Sequence, residues 1–219
     1  MKPILSDQDR NRLEQHIAEA EKRTSTQIVL AVVRRSDAYA ELPWTAFALG
    51  TSVTGLLVCM AEAFSNGWTS HPTLLFAVTL ILGTGAAFAI LAVLVPRFAR
   101  LLLTKHRAET EVRQYAESLF LHRELSATAG RTGILLLVSL FERSVVLLPD
   151  RGLTSRLTDD AMSGVIAQMT PHLAQNNVNR AMEAGLKRLS QVLEVSSPGR
   201  PAGSGENELP DQIIEEKGA

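Results

Sequence analysis

Residues 131–152 read RTGILLLVSLFERSVVLLPDRG. Two apolar runs, 134–140 and 144–148, are separated only by Phe141, Glu142 and Arg143. Such a short connection between two β-type runs predicts an antiparallel hairpin. A two-stranded hairpin is marginally stable by itself, so we expect further strands and helices from the rest of the chain to pack against it.

The flanking sequence supplies these elements. Residues 27–33 (QIVLAVV) have the nearly continuous apolar character of a strand that is buried on both faces. Apolar residues at helical spacing predict four helices: one that starts after an N-cap at Ser6, one over 108–122, one from an N-cap at Thr158 to about Ala174, and one that starts at an N-cap at Asn179. Residues 196–219 are rich in Pro, Gly, Ser and Glu, which predicts a disordered tail.

Two uncharged segments, 44–61 and 73–95, interrupt this pattern. Glu62 is the only formal charge between Trp44 and Val95. A helix needs about 20 apolar residues to cross a bilayer, so we expect a transmembrane hairpin and regard two buried core helices as the weaker alternative. The small residues on which the two helices are expected to pack are Ala48 with Ser52, Thr51 with Gly55, and Gly83, Gly85, Ala86 and Ala87.

The basic residues around this hairpin predict its orientation. The connection, 62–72, contains no Lys or Arg, and aromatic Trp44 and Trp68 mark interfacial positions. The outer flanks carry basic residues on both sides: Arg34, Arg35, Arg97, Arg100, Lys105 and Arg107. The positive-inside rule therefore predicts an integral inner-membrane protein with two spans and both termini in the cytoplasm. Residues 1–11 show no signal-peptide pattern, so we expect the first span to act as the insertion signal.

These elements predict four regions. Residues 1–42 form the first part of a domain, 43–96 a transmembrane hairpin, 97–195 the second part of the domain, and 196–219 the tail. Neither soluble part can cover its own strands, and both lie on the same side of the membrane. The predicted fold is therefore an α/β (α+β) sandwich, with a mixed sheet flanked by helices, that is split by an inserted two-helix hairpin.

Composition excludes several classes of protein. The net charge of −1 provides no basic surface for nucleic acid. The single cysteine, Cys59, excludes an internal disulfide and a multi-cysteine zinc site. The five histidines have no metal-ligand spacing, and no nucleotide-binding or hydrolase motif is present. The expected partners are the lipid bilayer and another membrane protein.

The sequence resembles the TPM domain family. The resemblance lies in the opening helix and strand and, above all, in the hairpin and the loop after it: Leu5, Ser6, Asp9, Leu13, Ile17, Glu21, Thr24 and Gln27–Val29 in the first part, then Ala116, Glu117, Phe120, Arg131–Leu136, Ser139, Leu140, Glu142, Arg143, Val145, Val146 and Asp150–Gly152. The resemblance implies a compact α/β sandwich. It also implies that some members bind a divalent cation at acidic strand ends and that a plant member is an acid phosphatase.

The acidic residues next to predicted strands are the candidate metal ligands. Asp150 follows a strand and precedes Gly152, and Asp37, just past the first strand, is expected to converge on it, with Asp159 or Asp160 nearby. Hard cations such as Ca²⁺ or Mg²⁺ require several oxygen ligands. The alternative is that Asp150 is a turn residue and that Asp159 and Asp160 stabilise a helix N-terminus.

Two hypotheses about function follow. In the first, the chain is a membrane-anchored accessory or scaffold protein at the cytoplasmic face. In the second, it is a divalent-cation-dependent phosphatase or related hydrolase, a hypothesis that rests on the family resemblance and on Asp150. Ser36 and Thr154 also offer hydroxyls to a phosphate, a signal of little weight because hydroxyls in loops are common.

Overall fold

The computed structural model describes residues 4–64, 71–128, 130–195 and 213–218. The chain forms two compact units. The first unit combines Met1–Asp37 with Glu109–Ala219, and the second, Ala38–Ala108, is inserted between these two segments. The inserted unit extends beyond the predicted 43–96 on both sides, since its first helix begins at Glu41 and a further short helix lies at Pro96–Leu102.

A four-stranded mixed sheet lies at the centre of the first unit. Its strands are β1 (Gln27–Arg35), β2 (Gly133–Ser139), β3 (Ser144–Pro149) and β4 (Ile214–Gly218), in the spatial order β3-β2-β1-β4. β1 pairs in parallel with both β2 and β4, whereas β3 runs antiparallel to β2. The predicted hairpin and the predicted mixed sheet are therefore confirmed.

Helices cover both faces of the sheet. On one face, α1 (Asp7–Thr24), α6 (Asp159–Ala174) and α7 (Val178–Val195) pack on the β1 side chains Ile28, Leu30 and Val32. On the other face, α5 (Lys105–His122) packs on Val29, Ala31 and Val33 through Val112, Ala116 and Leu119. Because successive side chains of a strand point to opposite faces, β1 contributes to both clusters and is buried along most of its length.

The helix caps follow the sequence pattern with one exception. The hydroxyl of Ser6 accepts a hydrogen bond from the N–H of Asp9, and that of Thr158 from the N–H of Ala161, as predicted. The prediction that Asn179 caps the last helix is wrong, because the N–H of Arg180 donates to Asn177 Oδ1 at 3.3 Å. Asn179 lies inside α7, where its side-chain amide donates to Asp9 Oδ1 at 2.6 Å, so a contact between helices overrides its capping preference.

The prediction that all of 196–219 is disordered is wrong for its last part. Ile214–Gly218 forms β4, while 196–212 and Ala219 lie outside the described residues. Ile213 is buried in the cluster on one face of the sheet, and Ile214 packs against the cluster on the other. The average composition of the tail conceals these two adjacent isoleucines, which provide the apolar burial that a strand needs.

The inserted unit consists of α2 (Glu41–Phe64), α3 (His71–Leu94) and α4 (Pro96–Leu102), while the predicted connection between α2 and α3 lies largely outside the described residues. α2 and α3 are each 24 residues long and, by length and composition, apolar enough to cross a membrane. They approach closely at Gly85, where an added Cβ would lie 2.4 Å from Thr51 Cγ2. The packing predicted for Thr51 and Gly85 is therefore confirmed.

Other small residues predicted at this contact lie elsewhere. Ala48 and Ser52 are exposed, and a Cβ added at Gly55 or Gly83 would meet nothing within 4 Å. Gly50, which the sequence pattern did not single out, is buried, and its added Cβ would lie 3.0 Å from Phe88. Small residues occur on several faces of these helices, so their spacing alone could not identify the contact face.

Candidate functional site

The strand directions place Asp37 and Asp150 at opposite ends of the sheet. Asp150 follows β3, and its N–H donates to the carbonyl of Gly133, the first residue of β2. Asp37 comes two residues after the other end of β1, which lies parallel to β2. A strand of nine residues rises roughly 30 Å along its axis. The prediction that these two carboxylates converge is therefore wrong.

Asp150 lies in a tightly packed loop. Its side chain is only 6% exposed, and Oδ1 accepts a 2.7 Å hydrogen bond from the N–H of Arg151, which begins a short 3₁₀ turn. The other oxygen, Oδ2, is buried without a hydrogen-bond partner. Gly152 packs directly against the loop before β2, since an added Cβ would lie 2.4 Å from the carbonyl oxygen of Gly130. The loop thus depends on both Asp150 and Gly152.

The described residues around Asp150 do not supply the ligand set of a Ca²⁺ site. Ca²⁺ takes six to eight oxygen ligands, and Asp150 offers one free carboxylate oxygen. Within 4–64, 71–128, 130–195 and 213–218, no three His, Cys, Asp or Glu residues cluster in a way that could hold a metal ion. Asp159 and Asp160 lie in the first turn of α6, where negative charge is favourable at a helix N-terminus.

A polar network occupies the opposite end of the sheet, after β1 and β2. The Glu142 carboxylate accepts hydrogen bonds from the Ser36 N–H, at 2.9 Å, and from the Ser139 hydroxyl. The Ser36 hydroxyl in turn donates to Ser139 Oγ at 3.2 Å. Both serines are buried. A carboxylate at this position disfavours a phosphate anion, so the network supports a structural role for Ser36 in place of the expected phosphate contact.

Thr154 also makes a local hydrogen bond. Its hydroxyl, predicted to contact phosphate, donates to the carbonyl of Arg151 at 3.1 Å within the turn after β3. Sequence reasoning missed the roles of Glu142 and Ser139. The signal that could have found them is their spacing, since the two residues lie three positions apart across the predicted hairpin turn.

Charged groups hold β4 on both faces of the sheet. Glu215 accepts from Arg10 at 2.6 Å and from the N–H of Ile4 at 3.0 Å. Glu216 accepts from the Tyr115 hydroxyl and forms a 3.4 Å ion pair with Arg123. Burial raises the pKa of Tyr115, and the hydrogen bond to Glu216 and the negative charge of that carboxylate raise it further. The Tyr115 hydroxyl therefore remains a proton donor at neutral pH.

A groove of about 640 Å³ lies on the outer surface of α1, α6 and α7. His16 and His172 both line it, although 156 positions separate them in the sequence and neither has ligand spacing. The remaining charged lining residues are of both signs: Glu19, Arg23, Arg180, Glu183, Lys187 and Glu194. Only the packing of the helices brings these groups together, so no sequence pattern could have predicted the groove.

The comparisons with known proteins agree with this fold. The model of the TPM domain matches residues 2–66 and 86–192. The chain belongs to the TPM domain family. β4 lies beyond the matched residues of the TPM domain. No curated protein matches the sequence.

A solved structure shares the TPM-domain fold seen here. The NMR structure of the BA42 protein from the psychrophilic bacterium Bizionia argentinensis is similar to this chain with a TM-score of 0.58 and 13% sequence identity. The alignment covers 98% of this chain and 97% of BA42. At this identity the similarity concerns the fold alone.

Proposed function

We propose that this TPM-domain protein is anchored in the inner membrane by α2 and α3 and acts at the cytoplasmic face as an accessory or scaffold protein. The observation that carries the proposal is the exposure of apolar side chains along both helices. Leu57 is 59% exposed, Phe76 69% and Leu94 72%. In the most apolar 18-residue stretch of each helix, only 6% is buried within the protein. A contiguous apolar surface of this kind marks an interaction site, and the hydrocarbon core of a lipid bilayer would cover it.

The lengths of the helices support the same proposal. Each has 24 residues and is therefore about 36 Å long, which exceeds the roughly 30 Å hydrocarbon core of a bilayer. A core helix of a soluble protein would have its apolar residues covered. In α2, by contrast, the buried residues are Leu42, Ala46 and Gly50, which leaves most of its apolar surface for lipid.

The distribution of basic residues supports a cytoplasmic TPM domain. Arg34 and Arg35 precede the two helices, Arg97 and Arg100 follow them, and the connection 62–72 contains neither Lys nor Arg. This asymmetry favours the orientation in which both flanks lie in the cytoplasm.

The local geometry at the ends of β1 and β2 supports a structural role for the polar groups there. The polar groups after β1 and β2 bond to one another in the Ser36, Ser139 and Glu142 network. This network stabilises the hairpin turn. Partner binding through the surface of the domain is therefore the function that we propose.

Cysteine accessibility tests the anchoring and the orientation together. Cys59 is the single cysteine, so a Cys59→Ala chain provides a background without thiols. In intact cells, a membrane-impermeant maleimide should label Glu62→Cys in this background. It should label Asp160→Cys only after permeabilisation. Labelling of Asp160→Cys from outside would overturn the orientation, and release of the protein by alkaline carbonate would overturn the anchoring.

The second candidate, a phosphatase, has one specific observation in its favour. Asp150 buries a carboxylate oxygen without a partner in a loop packed around Gly152. Hydrolysis of p-nitrophenyl phosphate by the full chain in detergent, with and without Ca²⁺ or Mg²⁺, tests it. Asp150→Asn keeps an oxygen that accepts from the N–H of Arg151. Turnover that depends on the cation and is lost in this variant would replace the accessory role, whereas the absence of turnover supports it.

A further inference from the structure

The β4 segment fills a strand-shaped groove beside β1 with alternating side chains. Ile213 and Glu215 lie on the face covered by α1, where Ile213 enters the core and Glu215 meets Arg10. Ile214 and Glu216 lie on the face covered by α5, where Glu216 meets Tyr115 and Arg123. Each face of the groove therefore recognises one apolar and one acidic side chain.

Glycine is required at the end of the segment. Gly218 has a φ of +77° and pairs with Arg35 at the end of β1. An added Cβ would lie 1.6 Å from the carbonyl oxygen of Arg35, so no other residue fits. The groove thus has a defined ligand pattern of two apolar residues, two acidic residues, any residue and a glycine.

Several features make this segment replaceable. It is an edge strand, since its neighbour in the described sheet is β1 alone. It lies beyond the residues that the TPM domain model matches, and the 196–212 sequence between α7 and Ile213 is rich in Pro, Gly and Ser. The Arg10 and Arg123 side chains are 36% and 47% exposed, so an incoming acidic side chain can reach both.

We propose that the groove beside β1 is a binding site for an extended acidic segment with this pattern, and that Ile213–Gly218 is its built-in occupant, which a partner strand of the same chemistry displaces. Backbone pairing with the β1 edge supplies affinity, and the flanking Arg10, Arg123 and Tyr115 select the acidic residues. The built-in strand limits access because its covalent link keeps its local concentration high.

The test uses the full chain in detergent and a fluorescein-labelled peptide that spans 211–219 (DQIIEEKGA). In the double variant Glu215→Lys, Glu216→Lys, the two lysines face Arg10 and Arg123. The repulsion between like charges should release the built-in strand and open the groove. By fluorescence anisotropy, this double variant should bind the peptide at least about tenfold more tightly than the unaltered chain. A peptide with the same two lysines is the matched control and should not bind.

A charge swap separates recognition from loss of the fold. Adding Arg10→Glu and Arg123→Glu to the double variant restores opposite charges, so the built-in strand should return and peptide binding should fall to the level of the unaltered chain. If the unaltered chain forms a dimer and the peptide dissociates it, two copies of the chain exchange the strand. This outcome supports the same groove as the binding site. Equal binding of both peptides, no increase in the double variant, or no effect of the swap would overturn the proposal.

Discussion

Glu142 connects two strands through a single carboxylate. It accepts hydrogen bonds from the N–H of Ser36, just after β1, and from the hydroxyl of Ser139, at the end of β2. Ser36 is 6% exposed and Ser139 1%, so water cannot replace the acceptor that both donors share. The side chain therefore adds to the backbone hydrogen bonds that Leu140 and Phe141 donate to the end of β1.

Removing this acceptor should destabilise the protein. Glu142→Ala leaves two buried donors unpaired, and we expect a loss of about 1–3 kcal/mol in the free energy of unfolding. Denaturant unfolding of the full chain in detergent measures the change. Glu142→Gln, which keeps one carbonyl oxygen, is the control and should lose less than half as much. An unchanged midpoint in Glu142→Ala would contradict the role of the network.

Tyr115 makes stability depend on pH in the alkaline range. Its pKa in the folded protein is raised above the ordinary value of 10.0, mainly by burial and also by Glu216, and the neutral phenol is the form that donates to Glu216. Its contribution is therefore fully present below pH 10.0 and is lost as the pH rises through the raised pKa. Between about pH 8 and pH 11, the unaltered chain should lose more stability than Tyr115→Phe. Parallel pH profiles of the two proteins would contradict this prediction.

At the scale of elements, the two long helices of the inserted unit depend on a close contact at glycine. Gly85 faces Thr51, and Gly50 faces Phe88. At the membrane location that we propose, the helices gain little from the hydrophobic effect when they associate, so direct packing at small residues is the main source of their association. The contact face, and not the overall content of small residues, should therefore govern the stability of the hairpin.

Gly85→Leu and Gly83→Leu form a matched pair that tests whether the contact face governs the stability of the helix hairpin. A side chain at Gly85 would overlap Thr51, whereas a Cβ at Gly83 meets nothing within 4 Å. We expect Gly85→Leu to lower stability by about 1–3 kcal/mol, as overpacked substitutions do, and Gly83→Leu to have little effect. Thermal unfolding in detergent, followed by helical circular dichroism, compares the two. Equal effects would show that the contact is not at Gly85.

For the whole molecule, the chain builds a complete core without the inserted unit. Among the residues that the structure describes, the members of the two hydrophobic clusters of the sheet belong to Met1–Asp37 and Glu109–Ala219. An insertion of this kind leaves the folding information in the interrupted domain.

A chain in which a short Gly/Ser linker replaces 38–108 should therefore fold without detergent. We expect a monomer with mixed helix and strand signals by circular dichroism and a cooperative thermal transition. The same replacement combined with Leu136→Asp, a fully buried position of β2, is the control and should abolish the transition. Aggregation of the linker version alone would mean that the inserted unit is needed for the fold.

How far the sequence predicted the site depended on the separation between the residues. It predicted the position of Asp150 in the loop after β3, because strand, turn and glycine are adjacent in the chain. It did not identify Glu142, whose partners Ser36 and Ser139 lie 106 and 3 positions away, or the groove between His16 and His172. Contacts between distant segments depend on the pairing and direction of the strands, which a local pattern does not specify.

The sequence by itself determined the β2–β3 hairpin, the buried character of β1, the apolar faces of the helices and the two long apolar segments. Each of these depends on local periodicity, turn length or the length of an apolar run. Only the tertiary structure decided that Asp37 and Asp150 lie at opposite ends of the sheet, that Asn177 caps α7, and that Ile213–Gly218 joins β1. The physical reason is that strand order and direction arise from burial and hydrogen bonding summed over the whole sheet.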